Sequence, residues 1–219
     1  ERIDLVRDQI HGGNVDLRQA LMRSLNVATV RLIRDYTSPR EVARLAHKLG
    51  ITTQLDPYDA LALGSSGVIP IDIVAAFQVF EAGGIWSKPM YITDIEDAFG
   101  EPIVHYRPER KAVLSEETAF LVQSLMRSVV DHGTGAGLRS QFGFRRPAAG
   151  KTGTTNDFTD AWFVGFTPHL AASVWVGLDD PANRLGRGLQ GARAALPIWA
   201  KFITAAYDTM HYPNDDFKL

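Results

Sequence analysis

Three consecutive stretches between residues 149 and 178 set the tightest limit on what this chain can fold into. The first is Ala149-Gly150-Lys151-Thr152-Gly153-Thr154-Thr155. The second, Asp160-Ala161-Trp162-Phe163-Val164-Gly165-Phe166, runs to Pro168, and the third is Leu170-Ala171-Ala172-Ser173-Val174-Trp175-Val176-Gly177-Leu178. Aromatic and β-branched residues crowd the last two, with Asn156-Asp157 and Pro168-His169 as turn residues between the stretches. Runs of this length and composition predict adjacent antiparallel strands. Successive side chains on a strand alternate between faces, so Thr152 and Thr154 share one, with Gly153 between them. A glycine there admits the close approach of another backbone or a ligand. An edge strand headed by Lys151 and bearing two hydroxyls suits an extended, anionic, peptide-like ligand that adds as a further strand.

Alone, Lys-Thr-Gly is a weak signal, because tripeptides of common residues recur by chance. Gly150-Lys151-Thr152 also ends a phosphate-binding loop. That loop requires a glycine where Arg145 stands, and a helix rather than a strand after the lysine, so it is excluded.

The segments before this run are mostly helical in pattern. Asp16 with Gln19, and Ser38 with Glu41, form capping boxes, the second with Pro39 at the first helical position. The helix opened by Asp16 runs from Leu17 to Arg23 and resumes from Ala28 to Arg34, which leaves Ser24 and Asn26 on the connection. Val42, Leu45, Ala46 and Leu49 repeat at helical spacing up to Gly50. Residues 51–67 read as loop. Pro70 opens a helix with Ile73, Phe77 and Phe80 on one side, stopped by Gly83-Gly84. Residues 91–96 and 102–106 read as a hairpin about Phe99-Gly100. Ser115 caps a helix with Glu116 and Glu117 in its first turn and Leu121, Leu125 and Val129 as its buried stripe. It ends in a flexible glycine-rich stretch, residues 133–137. A last helix runs from about Ala192 to Tyr207, with Pro197 placing its start near Ala195.

The 219 residues carry a formal charge of −2, which gives no support for nucleic acid as a partner. The length fits one large domain, or a domain with a subdomain. There is no cysteine, hence no disulfide framework and no thiol nucleophile, a composition that fits an oxidising compartment. No apolar run approaches the ~20 residues that span a bilayer. The six histidines are scattered, with no acidic cluster at ligand spacing, so neither a metal nor another cofactor is expected.

Ser24-Leu25-Asn26, taken singly, reads as turn or cap residues, and Ser65-Ser66 between glycines as a turn. Together with Lys151-Thr152-Gly153, however, Ser24-Leu25-Asn26 resembles two of the three motifs of the penicillin-recognising serine enzymes, Ser-x-x-Lys, Ser-x-Asn and Lys-Thr-Gly. The wider match is similar to the class A high-molecular-weight penicillin-binding proteins. It takes in residues 15–32, Leu63-Gly64-Ser65-Ser66, Pro70 with Ala75-Ala76-Phe77, Gly83-Gly84, Gly133-Thr134-Gly135, residues 149–168 and Ala195-Leu196-Pro197-Ile198-Trp199.

The resemblance implies a peptidoglycan D,D-transpeptidase domain with an α+β fold. An antiparallel sheet with flanking helices (approximately 146–207) would join a mostly helical subdomain (approximately 16–90 and 115–137), the N-terminal part of the domain being missing. No serine in the chain is followed three residues later by lysine. The nucleophile is therefore expected upstream of Glu1, in the same polypeptide, beyond which a glycosyltransferase domain and a membrane anchor are implied. The catalytic part would be extracytoplasmic. By resemblance, Ser24 relays a proton, Lys151 bonds Ser24 and attracts the substrate carboxylate, and Asn26 holds the substrate amide. Thr152 and Thr154 bind the terminal carboxylate beside Gly153, and the Thr154 N–H supplies half of an oxyanion hole. The implied partners are peptidoglycan stem peptides and β-lactam antibiotics. A D,D-carboxypeptidase or β-lactamase is one rival reading, and a catalytically silent subdomain that binds peptidoglycan or a protein partner is another.

Overall fold

A computed structural model describes residues 6–8, 13–155, 158–180, 183–186 and 188–217. The Asn156-Asp157 turn lies outside the described residues. In chain order the elements are β1 (Val6–Asp8), β2 (Gly13–Val15), α1 (Leu17–Met22), α2 (Asn26–Tyr36), α3 (Pro39–Lys48), a 3-10 helix (Asp59–Leu63), α4 (Pro70–Glu81), β3 (Ile85–Ser87), β4 (Asp94–Glu96), β5 (Pro102–His105), β6 (Arg110–Ala112), α5 (Glu116–His132), α6 (Gly137–Ser140), β7 (Ala149–Thr154), β8 (Asp160–Phe166), β9 (Ala171–Gly177) and α7 (Ala195–Met210).

The three predicted strands form one antiparallel sheet in the order β7-β8-β9, so the lysine-headed strand lies at its edge. In register, Lys151 opposes Val164, Thr152 opposes Phe163 and Thr154 opposes Ala161. Thr152 and Thr154 thus share the face that carries Phe163, which packs edge-on to Trp199 of α7 with ring centroids 5.1 Å apart. Trp199 is fully buried, and its indole N–H donates to the Ala172 carbonyl at 3.1 Å. The bond matters because an indole N–H left unpaired in the core costs free energy. Burying Trp199, Leu196, Ile203 and Phe163 together contributes on the order of 2 kcal/mol for each side chain.

The opposite face carries Ala149 and Phe166. There α5 supplies Met126 and Val122, α4 supplies Phe77 and Phe80, and Phe217 packs on Phe166. Helices on both faces of a mainly antiparallel sheet make this a mixed α+β fold.

The caps form as their residue types dictate. The side chains of Asp16, Ser38 and Ser115 accept from the backbone N–H of Gln19, Glu41 and Thr118, respectively. Each such cap stabilises its helix by about 1 kcal/mol. Pro197 sits in the first turn of α7, where its missing N–H is not needed.

Several expectations are corrected. Leu121 is 58% exposed, and the buried stripe of α5 is Ala119, Gln123, Met126, Val129 and Val130. Of the expected stripe Val129 is fully buried and Leu125 half-buried, so only Leu121 was misplaced. Residues 51–67 contain a 3-10 helix. The stretch 133–137 is a hydrogen-bonded turn that leads directly into α6. Asn26 is the first residue of α2, not part of the connection before it. Two short antiparallel pairs, β1 with β2 and β3 with β6, were not expected.

Candidate active site

The serine corner begins where α1 ends. The Leu25 N–H donates to the Ala20 carbonyl at 2.9 Å and the Ser24 N–H to the Leu21 carbonyl at 3.1 Å. This pair of bonds is the Schellman closure of a helix, and it places Ser24 at the position where glycine is usual. Ser24 accordingly has φ of 55°, in the left-handed region. A side chain there costs roughly 1–2 kcal/mol. Strain of this kind clusters at functional sites, and among the described residues Ser24 shares it with Phe158 and His211. The closure turns the chain within a single residue, which is why α2 starts as early as Asn26. Ser24 and Asn26 are both exposed.

Across from this corner lies β7. The Lys151 ammonium Nζ donates to Ser24 Oγ at 2.8 Å and to the carbonyl of Thr152 at 2.9 Å. Among the described residues two of its three protons are thereby used. Burial lowers the Lys151 pKa from 10.5 to about 8. Desolvation disfavours the charged form, and no carboxylate among the described residues pairs with Lys151 to offset it. Lys151 is mainly a cation at neutral pH, yet it can give up its proton without a large penalty.

The other expected site residues lie along the same strand. Thr152 Oγ1 is 2.7 Å from Thr134 Oγ1, and Thr154 Oγ1 accepts from the Gly191 N–H at 3.0 Å. A Cβ at Gly191 would lie 2.3 Å from the Trp162 carbonyl oxygen and 2.6 Å from the Gly153 one, so Gly191 lets the segment leading into α7 lie against the sheet, whereas a Cβ at Gly153 would meet the Trp162 side chain at 3.1 Å. Lys151 and Ser24 are brought into direct contact. Asn26 stands at the head of α2, two residues beyond Ser24, with no described hydrogen bond to Lys151. Ser65 lies in the turn after the 3-10 helix, its N–H donating to the Ala60 carbonyl.

Two participants were given no role in the sequence reading. Thr134 stands in the Gly133-Thr134-Gly135 stretch of the family resemblance, a hydroxyl residue held between two glycines. The backbone of Gly191 carried no signal.

The site is an open edge, with Ser24, Asn26 and Thr154 all exposed. Two cavities open to solvent lie elsewhere. One of about 360 Å³ is lined by Phe144, Arg146 and Tyr207, and one of about 400 Å³ by Phe80, Gln123 and His169. Neither takes in Lys151, so the chemistry of the donor set rather than enclosure marks the site. Among the described residues no group of three or more His, Asp or Glu side chains is placed to hold a metal. No helix among them is long and apolar enough to cross a membrane.

These features define a mixed helix-and-sheet protein with a lysine–serine pair bridging its sheet edge and its helical wall. The chain belongs to the penicillin binding protein transpeptidase domain family, whose profile matches residues 5–200. It is 42% identical over 212 residues to penicillin-binding protein 1A of Aquifex aeolicus (strain VF5), a match covering 97% of this chain and 28% of that protein. The chain thus spans less than a third of that relative's length. The crystal structure of penicillin-binding protein 1A from Haemophilus influenzae superposes with a TM-score of 0.88 at 27% identity, covering 95% of this chain and 36% of that one. The PonA1 protein of Mycobacterium tuberculosis, solved in complex with penicillin V, shares the fold with a TM-score of 0.80 at 24% identity, over 98% of this chain and 64% of that one.

Proposed function

We propose that this chain supplies the lysine strand and the serine–asparagine corner of a peptidoglycan D,D-transpeptidase active site. The observation that carries this reading is the 2.8 Å bond from Lys151 Nζ to Ser24 Oγ. It joins two of the three motifs of the family.

In the proposed reaction a serine of a Ser-x-x-Lys motif gives its proton to the lysine of that motif and attacks the carbonyl between two D-alanines of a stem peptide. That serine lies in a part of the same polypeptide outside residues 1–219. The tetrahedral oxyanion is held by the Thr154 N–H and by the N–H of the attacking serine. Losing one such donor typically slows acyl transfer ~10²–10³-fold. Lys151 attracts the terminal carboxylate, which Thr152 and Thr154 also bind, and Asn26 holds the substrate amide. As the C–N bond breaks, Ser24 Oγ gives its proton to the departing amine and takes one from Lys151, whose lowered pKa makes that transfer feasible. Attack by the amine of a neighbouring strand, or by water, on the acyl-enzyme then frees the serine. β-Lactams acylate the same serine. The penicillin V complex of a protein with this fold supports that part of the reading.

Two parts would build the domain, a helical one over approximately 16–90 and 115–137 and a sheet with its C-terminal helix over approximately 146–207. It would work on the outer side of the cell membrane, held there by an anchor outside this chain.

Peptide mapping of the penicilloyl adduct in the intact polypeptide tests the assignment. The adduct is expected on a serine of a Ser-x-x-Lys motif beyond residues 1–219. An adduct on Ser24, Ser65 or Ser66 would overturn it.

A further inference from the structure

The turn between α5 and α6 reaches both halves of the site. Thr134 donates its backbone N–H to the carbonyl of Met22 at 3.1 Å, two residues before the strained Ser24. Gly133 packs so closely on that same carbonyl that a Cβ would lie 2.3 Å from its oxygen. On its other side, Thr134 Oγ1 meets Thr152 Oγ1 at 2.7 Å, one residue along β7 from Lys151. The turn itself is fixed to α5, since the N–H groups of Gly133 and Gly135 both donate to the Val129 carbonyl at 3.0 Å. A bracket anchored on one helix therefore holds the serine corner and the lysine strand in a single register.

The hydroxyl pair also has a proton to spare. Two hydroxyls bring two protons but share one hydrogen bond, so whichever hydroxyl accepts keeps one proton to donate elsewhere. Neither has another described partner, and both residues are half-buried. Among the described residues Lys151 leaves a further N–H unused beside them. An excess of donors at a partly desolvated point calls for an anionic acceptor.

We propose that Thr134 is a positioning residue for this site: it donates to Thr152 Oγ1, and so commits the Thr152 proton to the carboxylate of the bound ligand. This rests on the transpeptidase reading above. Thr134 does not touch the reacting atoms. It decides which way the Thr152 hydroxyl points.

The test uses the intact polypeptide and two forms of one β-lactam, the free carboxylate and its methyl ester. Acylation rates are measured for the native protein, Thr134→Val, Thr134→Ser and Lys151→Ala. The ratio of acid to ester rates within one variant does not depend on how much of it is folded. Thr134→Val should lower that ratio about tenfold, the loss associated with a hydrogen bond to a charged group. Thr134→Ser, which keeps the hydroxyl, should restore it to within about threefold. An unchanged ratio in Thr134→Val, or a serine variant that behaves as the valine one does, overturns the proposal. If Lys151→Ala is unreactive and the ratio in Thr134→Val is unchanged, only the role of Thr134 fails. If Lys151→Ala is acylated at the native rate, the transpeptidase reading itself fails.

Discussion

Lys151 Nζ lies 2.8 Å from Ser24 Oγ although 127 residues of chain separate them. The sheet edge carries one partner and the end of a short helix the other. Neither side chain is held by its own element alone, so the contact depends on how the helices dock on the sheet. Each consequence below can be measured in the intact polypeptide.

Ser24→Gly should separate stability from function. Glycine occupies φ of 55° without strain, so the variant should be more stable by about 1 kcal/mol, read as a raised denaturation midpoint. It also removes the hydroxyl that accepts from Lys151, and β-lactam acylation should fall by at least about tenfold. A destabilised variant with unchanged acylation would contradict both halves.

Stability should depend on pH through Lys151. Its pKa is about 8 in the folded chain against 10.5 ordinarily, so between those values the unfolded chain binds more protons. Stability from this group therefore rises with pH from about 8 to 10.5 and is level below that window. Melting temperatures of the native protein and Lys151→Met, compared across pH 7 to 11, should show the rise only in the native protein. Parallel curves would exclude the lowered pKa.

Gly133→Ala should destabilise by about 1–3 kcal/mol, because the new methyl group would meet the Met22 carbonyl and one backbone must give way. Chemical denaturation measures the loss. A neutral substitution would mean that the turn and the serine corner are not in firm contact.

Trp199→Ala should cost about 3–5 kcal/mol, since a fully buried indole and its bond to the Ala172 carbonyl are lost together. Denaturant midpoints should move accordingly, and a loss under about 1 kcal/mol would place the core elsewhere.

What the sequence made legible was local. The caps at Asp16, Ser38 and Ser115, the three strands around Lys151, and Pro197 near the start of α7 each follow from side chains within a few residues of one another. Misreadings arose where distant partners decide. Leu121 of α5 is exposed although it repeats at the spacing of Leu125 and the buried Val129, because the elements packed on a helix decide how wide its buried face is. The pair β3 and β6 hides because β6 is Arg110-Lys111-Ala112, exposed throughout, with no alternation to announce a strand. Glycines beside Thr134 read as flexibility, whereas Gly133 is there because Met22 leaves no room for a side chain. At the candidate site, no spacing rule connects Ser24 to Lys151. Their likeness to two motifs of one family made that pairing an expectation, and the packing of both α1 and β7 on α5 is what provides the contact.

The most direct measurement is acylation of Lys151→Ala by a fluorescent penicillin, in the intact polypeptide, with circular dichroism to check that it is folded. The expected result is a folded protein that labels at least about a hundredfold more slowly than the native one, from loss of the cation and of the proton path through Ser24. Labelling of the folded variant at the native rate would contradict the central claim that the Lys151–Ser24 pair belongs to the acyl-transfer machinery.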